Sequence, residues 1–326
     1  MHSYARGGII GSPAAVKRTG EVILIFFRKR APRFGRKSGK ELHRYAVNKQ
    51  KKCMKHAAKC VALALSAVIL LAAAGCAADT EGDQTYGVFL SVTEDLQSLG
   101  AYETVVIDAQ YFSKEEIGAF RDRGHRVYTY LNVGSLEDFR SYYDTYKDLI
   151  LSPCEHWEEE SWIDVSSGRW QTFILRELVP ELLEKNVDGF FVDNCDVYFQ
   201  YPEQPVMDGL TLILRALVGT GRAVLLNGGD VYLDAYCGSG GSWADVITGI
   251  NQETVFSKIL WHGNRFGKAS AEDRAYFTDY IERYAAEGAE IYLLEYTRSS
   301  SLKAQIVEYC REHGFSCYIS DSVELD

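Results

Sequence analysis

Proline is scarce, at 6 in 326 residues, and glycine, at 28, is far below the one in three of a collagen. With 47% apolar and 25% charged residues, the chain does not read as disordered and is able to bury a sizeable core. Long apolar runs are missing too. The stretch Val61 to Ala74 is 14 residues, short of the roughly 20 that span a bilayer, which excludes a multi-span membrane protein. The 8 cysteines include no C-x-x-C pair, and His125, His156, His262 and His313 show no H-E-x-x-H or paired spacing, so no zinc site is indicated. Asp193-Asn194-Cys195-Asp196 lacks the glycine and distal glutamate of a calcium loop. No Gly-rich phosphate loop follows the first apolar run, and Gly238 to Ser242 is neither a dinucleotide fingerprint nor a nucleophile elbow. Neither a metal nor an organic cofactor is expected.

Acids are nearly absent from the first 76 residues, where 16 Lys or Arg stand against 2 acidic residues, a balance of +14. The other 19 basic and 43 acidic residues follow Cys76, so that part carries about −24 with histidine neutral. Such a field repels nucleic acid and attracts cations. A surface kept soluble by like charge has the same sign, so charge alone does not choose a ligand.

From Met54 the chain reads MKHAAKCVALALSAVILLAAAGC: a basic start, an apolar stretch and small residues before Cys76. This is the pattern of a secretory signal peptide over 54–75. Ala73-Ala74-Gly75-Cys76 resembles a bacterial lipobox, which makes Cys76 the expected lipidation site, with plain secretion as the alternative. Either way the domain is expected outside the cytoplasm, on a polar tether over 76–85. Residues 1–53 are basic and precede a Met that begins a complete signal, so Met54 is read as the start and 1–53 as an untranslated or disordered extension. Five cysteines follow Cys76, namely Cys154, Cys195, Cys237, Cys310 and Cys317. They read as small buried apolar side chains, with a Cys310–Cys317 pairing left open.

Eight β-rich runs follow, near Tyr86, Thr104, Arg126, Gly189, Ala223, Asp245, Glu290 and Phe315. Helical stretches stand between them, over Ser113–Arg123, Trp170–Asn186, Met207–Val218, Ser270–Glu287 and Ser299–His313. Ser113 with Glu116 makes a capping box, and Gly124, Gly288 and Gly314 stand where left-handed caps are expected. Near-continuous apolar strands alternating with amphipathic helices indicate a parallel sheet covered by helices. Eight such units over 86–326 predict an α/β fold, a (β/α)8 TIM barrel forming a single catalytic domain. An open doubly wound sheet is the alternative.

In such a barrel the strand C-termini form the active face, and here they carry Asp108, Asn132, Asp193, Asp196, Asn227, Asp230, Glu253 and Glu295. A carboxylate after a run such as GFFV is costly to bury unless hydrogen-bonded or used. Several converging at one mouth, with Tyr111, Tyr198, Tyr201, Tyr296 and loop tryptophans, suggest acids for glycosidic chemistry and aromatic platforms for sugars. Asp193 and Glu253, on strands four and six, are placed to flank one bond.

The succession YLNVGSLEDFR, SWIDVSSGRW, VDGFFVDNCDVY and INQETVF resembles the endo-α-1,4-polygalactosaminidase family, glycoside hydrolase family 114. The resemblance runs from Tyr86 to the C-terminus. It implies an extracellular endo-acting hydrolase of galactosamine-rich polysaccharide, with the catalytic carboxylates at Asp193 (nucleophile) and Glu253 (acid/base) in a retaining mechanism. Asp108, Tyr130, Asn132, Glu137, Arg140, Asp196, Tyr198, Asn227 and Glu295 are the candidates for substrate binding or for support behind it. Arg140 is either such a ligand or the ion-pair partner of Glu137 or Asp138, and Trp162 and Trp170 either stack on sugars or pack against the rim. Partly deacetylated galactosamine polymers are cationic, which suits a domain near −24. The expected partners are thus the polysaccharide and, through a lipid anchor, the bacterial membrane, with no nucleic acid and a monomeric state. A binding lipoprotein on the same barrel and a hydrolase of another α-glycan are the competing readings.

Overall fold

The structure is a computed structural model and describes residues 84–261 and 265–326. The signal segment, Cys76, most of the tether and His262 lie outside the described residues. In chain order the strands are β1 (Tyr86–Phe89), β2 (Thr104–Ile107), β3 (Arg126–Asn132), β4 (Ser135–Glu137), β5 (Ile150–Pro153), β6 (Glu160–Ile163), β7 (Gly189–Asp193), β8 (Ala223–Asn227), β9 (Gly249–Glu253), β10 (Ser257–Leu260), β11 (Arg265–Lys268), β12 (Glu290–Tyr296) and β13 (Ser316–Ser320). Eight of them form one parallel sheet in the order β1-β2-β3-β7-β8-β9-β12-β13. The seam between β1 and β13 is bridged by side chains rather than by a strand ladder: Phe89 lies 5.1 Å from Tyr318, ring to ring, and Thr85 bonds to Ser316. The predicted TIM barrel is therefore present, and the open sheet is not.

Because successive side chains of a strand point to opposite faces, the barrel has two cores. Outward residues such as Val105, Val127, Phe190, Val192, Val224, Ile250 and Leu293 meet the helices. Inward ones, Tyr86, Val88, Val106, Tyr128, Tyr130, Phe191, Leu225, Tyr292, Leu294 and Tyr296, fill the barrel.

The α-helices of six or more residues are α1 (Lys114–Arg121), α2 (Gly168–Phe173), α3 (Val179–Glu184), α4 (Gln204–Val218), α5 (Asp230–Gly238), α6 (Ala271–Ala286) and α7 (Ser300–His313). In α4, Val206, Leu210, Ile213, Leu214 and Leu217 are buried, a stripe at helical spacing that packs on the sheet. The Ser113–Glu116 capping box forms at α1, and Gly124, Gly288 and Gly314 all have positive φ. The helix read over Trp170–Asn186 is interrupted by a π-turn at Ile174–Leu178, just before Pro180, which has no N–H to continue the i−4 ladder. Three features had no counterpart in the sequence reading. They are helix α5, the three-stranded sheet β4-β6-β5 inserted after β3, and the β10–β11 hairpin after β9. Cys317 is a free thiol, so no Cys310–Cys317 bridge forms. Among the described residues, no helix is long and apolar enough to cross a membrane.

Candidate active site

The C-terminal ends of the barrel strands open on a cavity of about 480 Å³, inside the usual range of about 300–1,000 Å³ for a ligand site. Asp193 and Glu253 end β7 and β9, and Asn227, on β8 between them, joins the two. The Asn227 Nδ2 donates to Asp193 Oδ1 at 2.9 Å and to Glu253 Oε1 at 2.8 Å, so these two oxygens are at most about 5.7 Å apart. The amide cannot flip without loss, because its Oδ1 accepts from Asn251 Nδ2 at 2.7 Å, and Asn251 Oδ1 in turn accepts from the Tyr86 hydroxyl at 2.9 Å. A chain of three inward-facing residues thus runs up the barrel and aims two donors at the carboxylate pair.

The two carboxyls sit in different surroundings. Asp193 accepts from Asn227, from the Asn194 N–H at 2.9 Å and from the Tyr130 hydroxyl, which together oppose the upward push of burial on its pKa. Glu253 accepts from Asn227 and from the Tyr296 hydroxyl at 2.9 Å. Burial and the neighbouring Asp193 charge push it up to about 7. The residue after each carboxylate, Asn194 and Thr254, has left-handed backbone, φ 63 and 55. Asparagine tolerates this conformation and β-branched threonine resists it.

Asp108, Tyr130, Glu137, Arg140, Asp196 and Asn227 line the same cavity. Arg140 donates to both oxygens of Glu137, at 2.6 and 3.0 Å, and to Asp108 at 2.5 Å, all three side chains being buried. All three of its nitrogens thus donate to carboxylates, and its partners are Glu137 and Asp108 rather than Asp138. Asp196 accepts from the Gly229 N–H at 3.1 Å, and burial with the nearby Asp230 and Asp193 charges pushes it up to about 7. Asn132 lies behind the cavity lining, exchanging hydrogen bonds with Ser135 at 2.6 and 2.9 Å. Gly134, between them, lets the Asn194 backbone come close: a Cβ there would stand 1.7 Å from the Asn194 carbonyl oxygen.

Two candidates belong elsewhere. Glu295 points to the outer face of β12, where its carboxylate accepts from the Phe256 and Ser257 N–H groups, both at 2.8 Å, and from the Ser257 hydroxyl. It is fully buried and anchors the turn that follows Glu253 and Thr254, and its neighbour Tyr296 is the one that faces the cavity. Tyr198 packs against the outer core, edge-on to Tyr232 at 6.2 Å, rather than in the cavity. Tyr201 bonds to Ser152. Trp170 is buried with its indole N–H on the Val133 carbonyl, and Trp162 is partly buried against the same core, so packing accounts for both.

The sequence reading missed Glu160. It projects from β6 into the cavity, accepts from Ser135 at 2.8 Å and Asn194 at 3.1 Å, and is pushed up to about 7 by burial and the charges of Asp193 and Glu137. It also left Trp157 and Trp261 unnamed. Among the described lining residues nine are acidic and one, Arg140, is basic. With that cation already paired, the mouth favours cationic or neutral ligands over anions.

A parallel eight-stranded barrel with two hydrogen-bonded carboxyls across its C-terminal mouth is the arrangement of a glycoside-cleaving barrel. The model of the glycoside-hydrolase family GH114 matches residues 71–227, a span that takes in Asp193 and ends at Asn227, before Glu253. Over that span, 157 of the 326 residues, the chain is similar to this family, which supports a glycoside hydrolase. Its fold is similar to that of the glycoside hydrolase domain of PelA from Pseudomonas aeruginosa, with 17% identity over 74% of this chain and 96% of that one, and a TM-score of 0.62. It is likewise similar to Aspergillus fumigatus Ega3, solved in complex with galactosamine, with 17% identity over 74% and 92% of the two chains and a TM-score of 0.58. A sequence comparison with curated proteins finds no match.

Proposed function

We propose that the protein is an extracytoplasmic, endo-acting hydrolase of α-1,4-linked, galactosamine-rich polysaccharide, working with retention through Asp193 and Glu253. The observation that carries the mechanism is the Asn227 bridge. The two carboxyl oxygens held by Asn227, at most about 5.7 Å apart, favour the roughly 5–5.5 Å spacing of a retaining pair over the about 6.5–9.5 Å of an inverting one. Asp193, with three donors, is the group better kept ionised, and its carboxylate attacks the anomeric carbon. Glu253, raised to about 7, holds a proton near neutrality and delivers it to the leaving oxygen as the glycosidic bond breaks. In the second half Glu253 takes a proton from water, the water oxygen attacks the anomeric carbon, and the Asp193 ester bond breaks to restore the carboxylate.

The substrate reading rests on the family, on the galactosamine bound to Ega3, and on charge. A partly deacetylated polymer brings ammonium groups to an acid-lined mouth on a domain near −24. The extracytoplasmic setting and the lipid anchor at Cys76 rest on the segment Met54 to Cys76. The test is reducing-end release from partly deacetylated α-1,4-galactosamine polymer by wild type, Asp193→Asn and Glu253→Gln. Cleavage by wild type alone supports the enzyme and its pair. Binding without cleavage supports a polysaccharide-binding lipoprotein, and cleavage of a different α-glycan replaces the substrate.

A further inference from the structure

The catalytic cavity does not end at the carboxylates. A second pocket of about 250 Å³ adjoins it, and the two share Thr254, Ile259, Trp261 and Phe277 in their linings. Alone it is below the usual size of a ligand site, but as a continuation of the cleft it adds a compartment beside the catalytic one. Trp261, at the end of β10, is a wall of both.

Trp261 is 38% exposed and Trp157 42%. They stand on different insertions, the β10–β11 hairpin and the β5–β6 turn, yet meet at the rim with ring centroids 5.4 Å apart and near-perpendicular planes. His156 lies flat against Trp261 at 4.7 Å. The β5–β6 turn is pinned by backbone bonds from Glu160 N–H to the Trp157 carbonyl and from Cys154 N–H to the Glu160 carbonyl. The strand that places Glu160 in the cavity therefore also fixes Trp157. Two half-exposed indoles held at the edge of an acid-lined cleft present rigid apolar faces. Such faces suit the C–H side of a pyranose ring, and an ammonium substituent adds a cation–π attraction.

We propose that Trp261, braced by His156 and Trp157, is the platform of a distal sugar subsite that holds a polysaccharide residue beyond the cleaved linkage. This rests on the glycan-hydrolase reading above and adds to it a determinant of chain-length preference.

The experiment measures kcat/KM on α-1,4-linked galactosamine oligomers, from the shortest that is cleaved up to the polymer, for wild type, Trp261→Ala, Trp261→Phe and Trp157→Ala, with melting temperatures as a folding control. Trp261→Ala is expected to lose about tenfold on long oligomers, the loss of one stacking contact, and markedly less on the shortest. Trp261→Phe recovers most of the loss, which a misfolded variant cannot imitate, and Trp157→Ala shows a smaller loss of the same length dependence. An equal loss at every length, or none, overturns the platform while leaving the hydrolase reading intact. If wild type cleaves nothing, the galactosamine reading fails. Calorimetric binding of the same oligomers then decides the platform, with equal affinity in wild type and Trp261→Ala, or no binding by either, overturning it.

Discussion

Replacing Asn227 with alanine removes both donors of the carboxylate bridge and leaves Asp193 and Glu253 in place. The two hydrogen bonds, at 2.9 and 2.8 Å, go to ionisable acceptors, and such bonds are worth about 1.5–3 kcal/mol each. The cavity admits water that can replace part of this, so the loss falls near the lower end, about 3 kcal/mol in all, or on the order of 100-fold in kcat. The pH profile carries a second signature. Both bonds favour the charged carboxylate and lower its pKa, so their removal moves both limbs of the kcat profile to higher pH. The alkaline limb starts near 7, the value to which burial and Asp193 push Glu253. Because the pair titrates together, the limbs belong to the pair. The assay is kcat against pH for wild type and Asn227→Ala on one soluble oligomer. A loss smaller than about threefold with unmoved limbs refutes the bridge as the element that sets the pair.

Stability is expected to fall as pH rises. Glu160, Asp196, Glu253 and Glu295 are each pushed by burial to about 7, above the roughly 4 of an unfolded chain. The folded state then binds protons more tightly than the unfolded one, so this contribution is fully present below about pH 4 and is lost as pH climbs through about 7. Thermal melts should give a higher Tm at about pH 5 than at about pH 8, and a Tm that rises over that interval contradicts the assignment. Glu295→Gln puts an amide N–H₂ where a carboxylate oxygen accepts from backbone N–H groups. It should lower stability by about 1–3 kcal/mol and reduce kcat more than it raises KM, since the turn it anchors positions Glu253. Unchanged kcat in a folded variant removes Glu295 from that role.

The barrel was legible because β-rich runs recur eight times with helical stretches between them, and Asp193 and Glu253 stood out as carboxylates at the ends of two of those runs. The same rule misplaced Glu295. In EIYLLEY all positions after the first are buried, those on both faces alike, so alternation offers no contrast and a one-residue difference in facing is invisible. Glu160, Trp157 and the β4-β6-β5 sheet were hidden for another reason. Strands of three or four residues carry too little periodicity to register, and the acids from Glu158 to Glu160 look like a solvated loop. Helix α5 escaped because its buried residues, Tyr232, Leu233 and Tyr236, span barely more than one turn behind Gly228 and Gly229.

A neutral amide between the two carboxylates suits the roles proposed for them. A lysine or arginine at position 227 would hold both groups ionised and so deprive Glu253 of the proton that the proposed mechanism assigns to it. The mouth does contain one guanidinium, Arg140, but each of its nitrogens donates to Glu137 or Asp108, and neither Asp193 nor Glu253 receives a hydrogen bond from it. What remains is a pair whose orientation is fixed by hydrogen bonds and whose electrostatics are governed by burial and by mutual repulsion. A substrate that carries its own positive charge lowers that repulsion when it binds. For such a substrate the acid-rich lining aids binding, and because Asn227 adds no charge, burial is left to hold the Glu253 pKa up.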